Sequence, residues 1–221
     1  MNGICYIIGA GQIDELLLEP SEHDFVIAAD AGYLHLTKLL AVADLVVGDF
    51  DSLGSKPHHP NVVQYPSEKD QTDMMLAVDE GLRRGYKKFV LLGGLGGRLD
   101  HTYANIQTLS YIARKNACGY LLGGGTAVTV IKNSRISFDS DKKGIVSVFC
   151  CGETAHKVTL SGLKYELKNA VLEESNPLGV SNEFTVRKSE ISVLNGSLII
   201  MWQEKAADVI DNLKESCYSA Q

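Results

Sequence analysis

Through about residue 133, short continuous apolar runs alternate with longer stretches of helical period, and this alternation most narrows what the chain can fold into. The runs are ICYII, FVIAA, DLVV, NVVQY, FVLL and YLL. A strand covered on both faces has no polar alternation, so such runs predict a mostly parallel, Rossmann-like sheet flanked by helices. Between them, Tyr103, Ile106, Leu109 and Ile112 form one apolar stripe, and Met75, Leu76, Val78 and Leu82 another. After Ser134 the pattern changes to RISF, GIVSVFC, HKVTL, EFTVR, EISVL and SLIIMW, separated by Gly, Asn, Ser and Lys. That half reads as a small all-β sandwich with Trp202 in its core. The change of period places a boundary between an α/β part, 1–133, and a β part, 134–221.

In an open parallel sheet, ligands bind beyond the carboxyl ends of the strands. Four such ends carry acids: Asp30 after FVIAA, Asp49 and Asp51 after DLVV, Asp70 and Asp73 after NVVQY, and Asp100 after FVLL. Taken singly, each Asp is more often a helix cap or turn former, with Asp70 or Thr72 capping one helix and Asp100 the next. Together they deliver carboxylates from separate segments to one edge. Clustered carboxylates repel unless a cation lies among them or they protonate. Magnesium takes oxygen ligands and is usually shared between one or two carboxylates and substrate phosphates, so the pattern implies metal-assisted phosphate chemistry. GGLGGR offers close-approaching backbone to an anion, and Arg98 a planar fork.

Other chemistries lack their signatures. GAGQID has no third glycine of a dinucleotide fingerprint, and neither a Walker A sequence nor a G-x-S-x-G elbow occurs. Cys5, Cys118, Cys150, Cys151 and Cys217 show no C-x-x-C spacing, and adjacent His58 and His59 fit no zinc pattern, so reduced structural thiols are expected. The net charge of -6, without a Lys/Arg block, disfavours nucleic acid or an anionic membrane as partner. No basic region precedes the first apolar run and no run is long enough to span a bilayer, so a cytoplasmic protein is expected.

Four motifs in this order, DAG at Asp30 to Gly32, GDFDS at Gly48 to Ser52, KDQTD at Lys69 to Asp73 and GGRLDH at Gly96 to His101, resemble those of the thiamine pyrophosphokinase family. SGLKYEL at Ser161 to Leu167 and LGVSNEF at Leu178 to Phe184 are similar to that family's vitamin-site segments, so the resemblance covers nearly the whole chain. It implies pyrophosphate transfer from ATP to thiamine with magnesium, by a homodimer whose sites lie between the α/β part of one subunit and the β part of the other. Asp49, Asp51, Asp70 and Asp73 are implied for the metal, and Asp30, Gln71, Thr72, Arg98 and His101 for the nucleotide. Arg98 and Asp100 resemble the residues beside the transferred group, and Asp100 or Asp73 is the candidate proton acceptor, so the catalytic set is Asp73, Arg98 and Asp100. Ser181 and Asn182 resemble the pair lining the vitamin site, and Tyr165 stands where many members have tryptophan. Two rival readings share the acid-rich half: a pyrophosphokinase for another small alcohol such as a pterin, and a non-catalytic nucleotide or vitamin sensor.

Overall fold

Every residue of β1 (Ile4–Ile8) is buried, yet its side chains serve two different cores. Ile4, Tyr6 and Ile8 join one apolar cluster, whereas Cys5 and Ile7 join another on the opposite face. Alternate residues of a strand point to opposite faces, so ICYII is apolar throughout because both faces are covered. The protein is described here by a computed structural model covering residues 3–13, 18–152 and 154–218. The side chain of Cys217 lies outside the described residues.

β2 (Phe25–Ala29), β3 (Leu45–Gly48), β4 (Val62–Gln64), β5 (Lys88–Leu92) and β6 (Cys118–Gly123) extend this framework. Parallel pairing joins β1 to β2 and β5, β2 to β3, β3 to β4, and β5 to β6. The chain therefore runs outward from β1 through β2, β3 and β4, then returns across β1 to add β5 and β6. This reversal opens a crevice beyond the ends of β1 and β5.

Helices α2 (Asp73–Arg83) and α3 (Leu99–Arg114) bury Leu76, Ala77, Leu109 and Ile112 against the Cys5 and Ile7 face. On the other face, α1 (Leu36–Leu39) contributes Leu36 and Leu39, and α4 (Ala206–Tyr218) contributes Val209, Ile210 and Leu213. The stripe expected on α3 is only partly right, because Tyr103 is 57% exposed. A repeat of three slips steadily against a 3.6-residue turn, and the buried face instead carries Asn105, Thr108, Leu109, Ile112 and Ala113. Among the described residues, no helix is long and apolar enough to cross a membrane.

The β part departs further from its sequence reading. β7 (Thr126–Lys132), absent from the expected strands, turns back antiparallel on β6 through Gly124 and Gly125, both at positive φ. β14 (Ser197–Gln203), β9 (Ile145–Cys150) and β12 (Gly179–Glu183) then continue antiparallel, making a mixed sheet of ten strands. A second sheet contains β11 (Leu167–Leu172), also unexpected, β10 (Ala155–Ser161), β13 (Ser189–Ser192) and β8 (Arg135–Phe138). Val148, Leu198, Ile200 and Trp202 of the large sheet share one core with Phe138, Val158, Leu160 and Ile191 of the small one. The sandwich is thus a four-stranded sheet laid on an extension of the α/β sheet. The expected strand EFTVR is corrected: Glu183 ends β12, Phe184 makes an isolated bridge to Leu163, and Val186 has φ 56°.

Candidate active site

A cleft of about 630 Å³ opens where the strand order reverses, lined wholly by residues from Gly9 to Asn105. Its floor requires glycine. Gly11 N–H donates to the Gly93 carbonyl at 2.9 Å, linking the turn after β1 to the turn after β5. Gly93 has φ 67°, and a Cβ there would lie 2.4 Å from the Gly9 oxygen. The glycine of DAG serves the same purpose, since a Cβ on Gly32 would meet the Ile8 carbonyl oxygen at 1.9 Å. Without a side chain, the 3-10 turn Asp30–His35 can press against the end of β1.

That turn carries Asp30, 8% exposed and at φ 48°, into a group of acids. Asp30, Asp49 and Asp73 each present a carboxylate oxygen, all within 4.8 Å of one another. Asp30 Oδ1 is buried without a hydrogen-bond partner among the described residues. Lys69 reaches the same group: its ammonium donates to Asp49 Oδ2 and lies 3.2 Å from Asp73 Oδ1. The bond from Lys69 holds the Asp49 carboxyl below its ordinary range. Burial raises Asp73, with Lys69 opposing and the charges of Asp49 and Asp30 reinforcing the rise. Burial pulls the Lys69 ammonium down, but its bonds to Asp49 and Asp73 outweigh that and leave it raised.

The remaining implied residues divide. Asp51, Gln71, Thr72, Arg98 and His101 line the cleft with Asp30, Asp49 and Asp73. Thr72 Oγ1 also caps α2, accepting from Met75 N–H at 3.2 Å, and Gln71 Nε2 donates to Asp79 Oδ2 at 3.0 Å. Asp70 is exposed and lies outside both the lining and the acid group, so the acids that meet are Asp30, Asp49 and Asp73. Asp100, also outside the lining, pairs with Arg98 through contacts of 2.6 and 3.2 Å. That pairing lowers the Asp100 carboxyl and raises the Arg98 guanidinium. Sequence reasoning assigned no role to Lys69 or Asn105. Asn105 is buried and donates to the Gly94 carbonyl at 2.9 Å, anchoring the Gly-rich turn. A lysine inside the acid-dense KDQTD was the available signal for Lys69.

Tyr165, Ser181 and Asn182 lie elsewhere. β12, which carries Ser181 and Asn182, is the edge strand six positions from β1. At about 4.8 Å per strand this is roughly 29 Å across the sheet. Asn182 is 3% exposed, and its amide is engaged with backbone. Its Oδ1 accepts from Tyr165 N–H at 3.0 Å and Glu183 N–H at 2.9 Å, while Nδ2 donates to the Tyr165 carbonyl at 2.7 Å. Tyr165, so latched, keeps 59% of its surface exposed. The Lys164 ammonium lies 5.5 Å from its ring centroid and pairs with Glu183 at 2.7 Å.

Comparison with known proteins bears on both regions. Residues 17–121 match the family model for the thiamin pyrophosphokinase catalytic domain, and 133–198 match that for the same family's vitamin B1 binding domain. The thiamine pyrophosphokinase of Bacillus subtilis (strain 168) is 29% identical over 196 residues, spanning 86% of this chain and 92% of the relative. Thiamin pyrophosphokinase 1 of Caenorhabditis elegans is 27% identical over 169 residues, spanning 71% and 68%. The crystal structure of the Bacillus subtilis thiamine pyrophosphokinase superposes with a TM-score of 0.81 at 28% identity, covering 91% of this chain and 99% of that one. With both domain models matched in order along one chain, the protein belongs to the thiamin pyrophosphokinase family.

Proposed function

We propose that the protein is a thiamine pyrophosphokinase, transferring pyrophosphate from ATP to the hydroxyl of thiamine and releasing AMP. Family membership supports the reaction, and the observation that carries it to this chain is the Asp30, Asp49 and Asp73 group in the cleft. The parallel strands β1 to β6, reversing at β1, are read as the Rossmann-like nucleotide-binding part, 1–133, and 134–221 as the thiamine-binding part.

The donor set fits magnesium. It is all oxygen, and Asp30 Oδ1 is a buried acceptor without a partner among the described residues. Asp30, Asp49 and Asp73 would hold the ion, with Asp51 at the rim; Asp70 is set aside because it lies outside the cleft lining. When bound, magnesium supplies charge neutralisation to the polyphosphate.

The protein's own groups position and neutralise the substrates. The thiamine hydroxyl oxygen bonds to the β-phosphorus, and the bond from that phosphorus to the α,β-bridging oxygen breaks, leaving AMP. Arg98 exchanges the Asp100 carboxylate for phosphate oxygens and stabilises charge that grows during transfer. Asp73 or Asp100 accepts the hydroxyl proton. The Tyr165 ring face attracts the cationic vitamin, with Ser181 beside it.

The six strand spacings between β12 and β1 support a homodimer in which Tyr165 of one subunit meets the cleft of another. Reduced thiols at Cys5 and Cys151 fit a cytoplasmic setting. The test combines the protein with ATP, magnesium and either thiamine or a pterin alcohol. AMP and thiamine diphosphate forming together is the expected result; turnover only with the pterin, or nucleotide binding without turnover, overturns the reading.

A further inference from the structure

Three carboxylates and one ammonium make the centre of the cleft. Lys69 is 13% exposed at its side chain, and the Asp49 and Asp73 side chains it contacts are 16% and 24% exposed. Its Nζ contacts Asp49 Oδ2 and Asp73 Oδ1, on two of the three acids whose carboxylate oxygens lie within 4.8 Å of one another. A lysine ammonium is a compact point charge on a flexible four-carbon stem, able to hold two carboxylates and to leave them as one unit.

A magnesium ion binds carboxylate oxygens at about 2.0–2.1 Å and requires near-octahedral geometry. An ion placed on those oxygens of Asp49 and Asp73 would press against the ammonium already there, and two cations in contact repel strongly. Lys69 also lines the cleft, together with Arg98 and the Gly93 to Gly97 turn. A nearby place for its charge therefore exists wherever an anion enters.

We propose that Lys69 is an exchangeable internal cation: a divalent ion displaces its ammonium from Asp49 and Asp73, and the freed ammonium turns to the phosphate oxygens of the incoming nucleotide. This rests on the magnesium reading above. It assigns to this chain a coupling between the two ligands, because the ion's arrival creates a cation for the polyphosphate. The acids keep a counterion in either arrangement, which limits the repulsion that clustered carboxylates otherwise suffer.

The exchange is tested on the full chain without nucleotide. Acetylation at Lys69 is followed by mass spectrometry in EDTA and across a magnesium titration, with the exposed Lys56 and Lys143 as internal references. The expected result is a severalfold faster reaction at Lys69 as magnesium binds, with the reference lysines unchanged. In parallel, Lys69→Met is titrated with manganese by electron paramagnetic resonance; its affinity should exceed that of the unaltered protein by about tenfold. Metal binding with unchanged Lys69 reactivity overturns the exchange and leaves the metal site standing, as does unchanged or weaker manganese affinity in a folded Lys69→Met. No divalent binding by either protein overturns both. The labelling uses the unaltered chain, so it decides the matter even if the variant does not fold.

Discussion

The cleft at the strand reversal and the Tyr165 corner at the far sheet edge are both polar, but they use their polar atoms differently. In the cleft, Asp30 Oδ1 is buried and unmatched among the described residues, and the Lys69 ammonium offsets the charge of the acids it touches. At the corner, both ends of the Asn182 amide are satisfied by backbone, and what faces outward is the ring of Tyr165. Unmatched buried groups are costly, whereas fully matched ones rigidify the scaffold. The proposed reading accordingly assigns the chemistry to the cleft and the exposed Tyr165 ring at the corner to the cationic vitamin.

The contrast is broken most severely at Asp30. Asp30→Asn should lower turnover by about 10²–10³-fold, the scale of losing one preorganised electrostatic group. Its folding stability should hold or rise, because one like charge leaves the group. Near-normal turnover at saturating magnesium in the folded variant would remove Asp30 from the site. Asn182→Ala probes the opposite kind of group. It should cost about 1–3 kcal/mol in denaturant unfolding, since the Tyr165 and Glu183 backbone groups lose buried partners. Unchanged stability would mean that Asn182 is not a latch, and that its amide is available to a ligand.

A smaller effect is expected from Tyr165→Ala. Thiamine affinity, measured by calorimetry, should fall roughly 2- to 5-fold, the size of an exposed cation–π contact, while ATP affinity persists. Equal thiamine affinity would leave the vitamin side without its aromatic face. The smallest change is expected at Asp70, which is exposed and outside the cleft lining. Asp70→Asn should keep kcat/KM within about a factor of two, as for a surface substitution. A loss as large as that of Asp30→Asn would place Asp70 with the metal after all.

Much of this was legible because strand ends are written plainly in the chain. ICYII and FVIAA match β1 and β2 residue for residue, and Asp30 after β2 comes together with Asp49 after β3. Selection among the acids was not legible. Asp70 and Asp73 are three residues apart, but only Asp73 begins α2, and the loop before it sends Lys69 inward and leaves Asp70 exposed. Sequence spacing fixes which face a side chain takes only inside regular structure.

The β part was harder for a related reason. TAVTVIK follows a GGG turn and reads in retrospect as the second arm of a hairpin, but its partner β14 lies about seventy residues on. Such non-local pairing leaves little trace in local period, so the continuity of the ten-stranded sheet was hidden. The engagement of Asn182 was equally hidden, because a side chain that satisfies backbone and one that meets a ligand have the same composition.

Pyrophosphate transfer is tested most directly with ATP labelled at its β-phosphorus, in the presence of magnesium and thiamine. Label appearing in thiamine diphosphate, with one unlabelled AMP released per product, is the expected result. Label retained in ADP, or phosphate released at the same rate without thiamine, would contradict it.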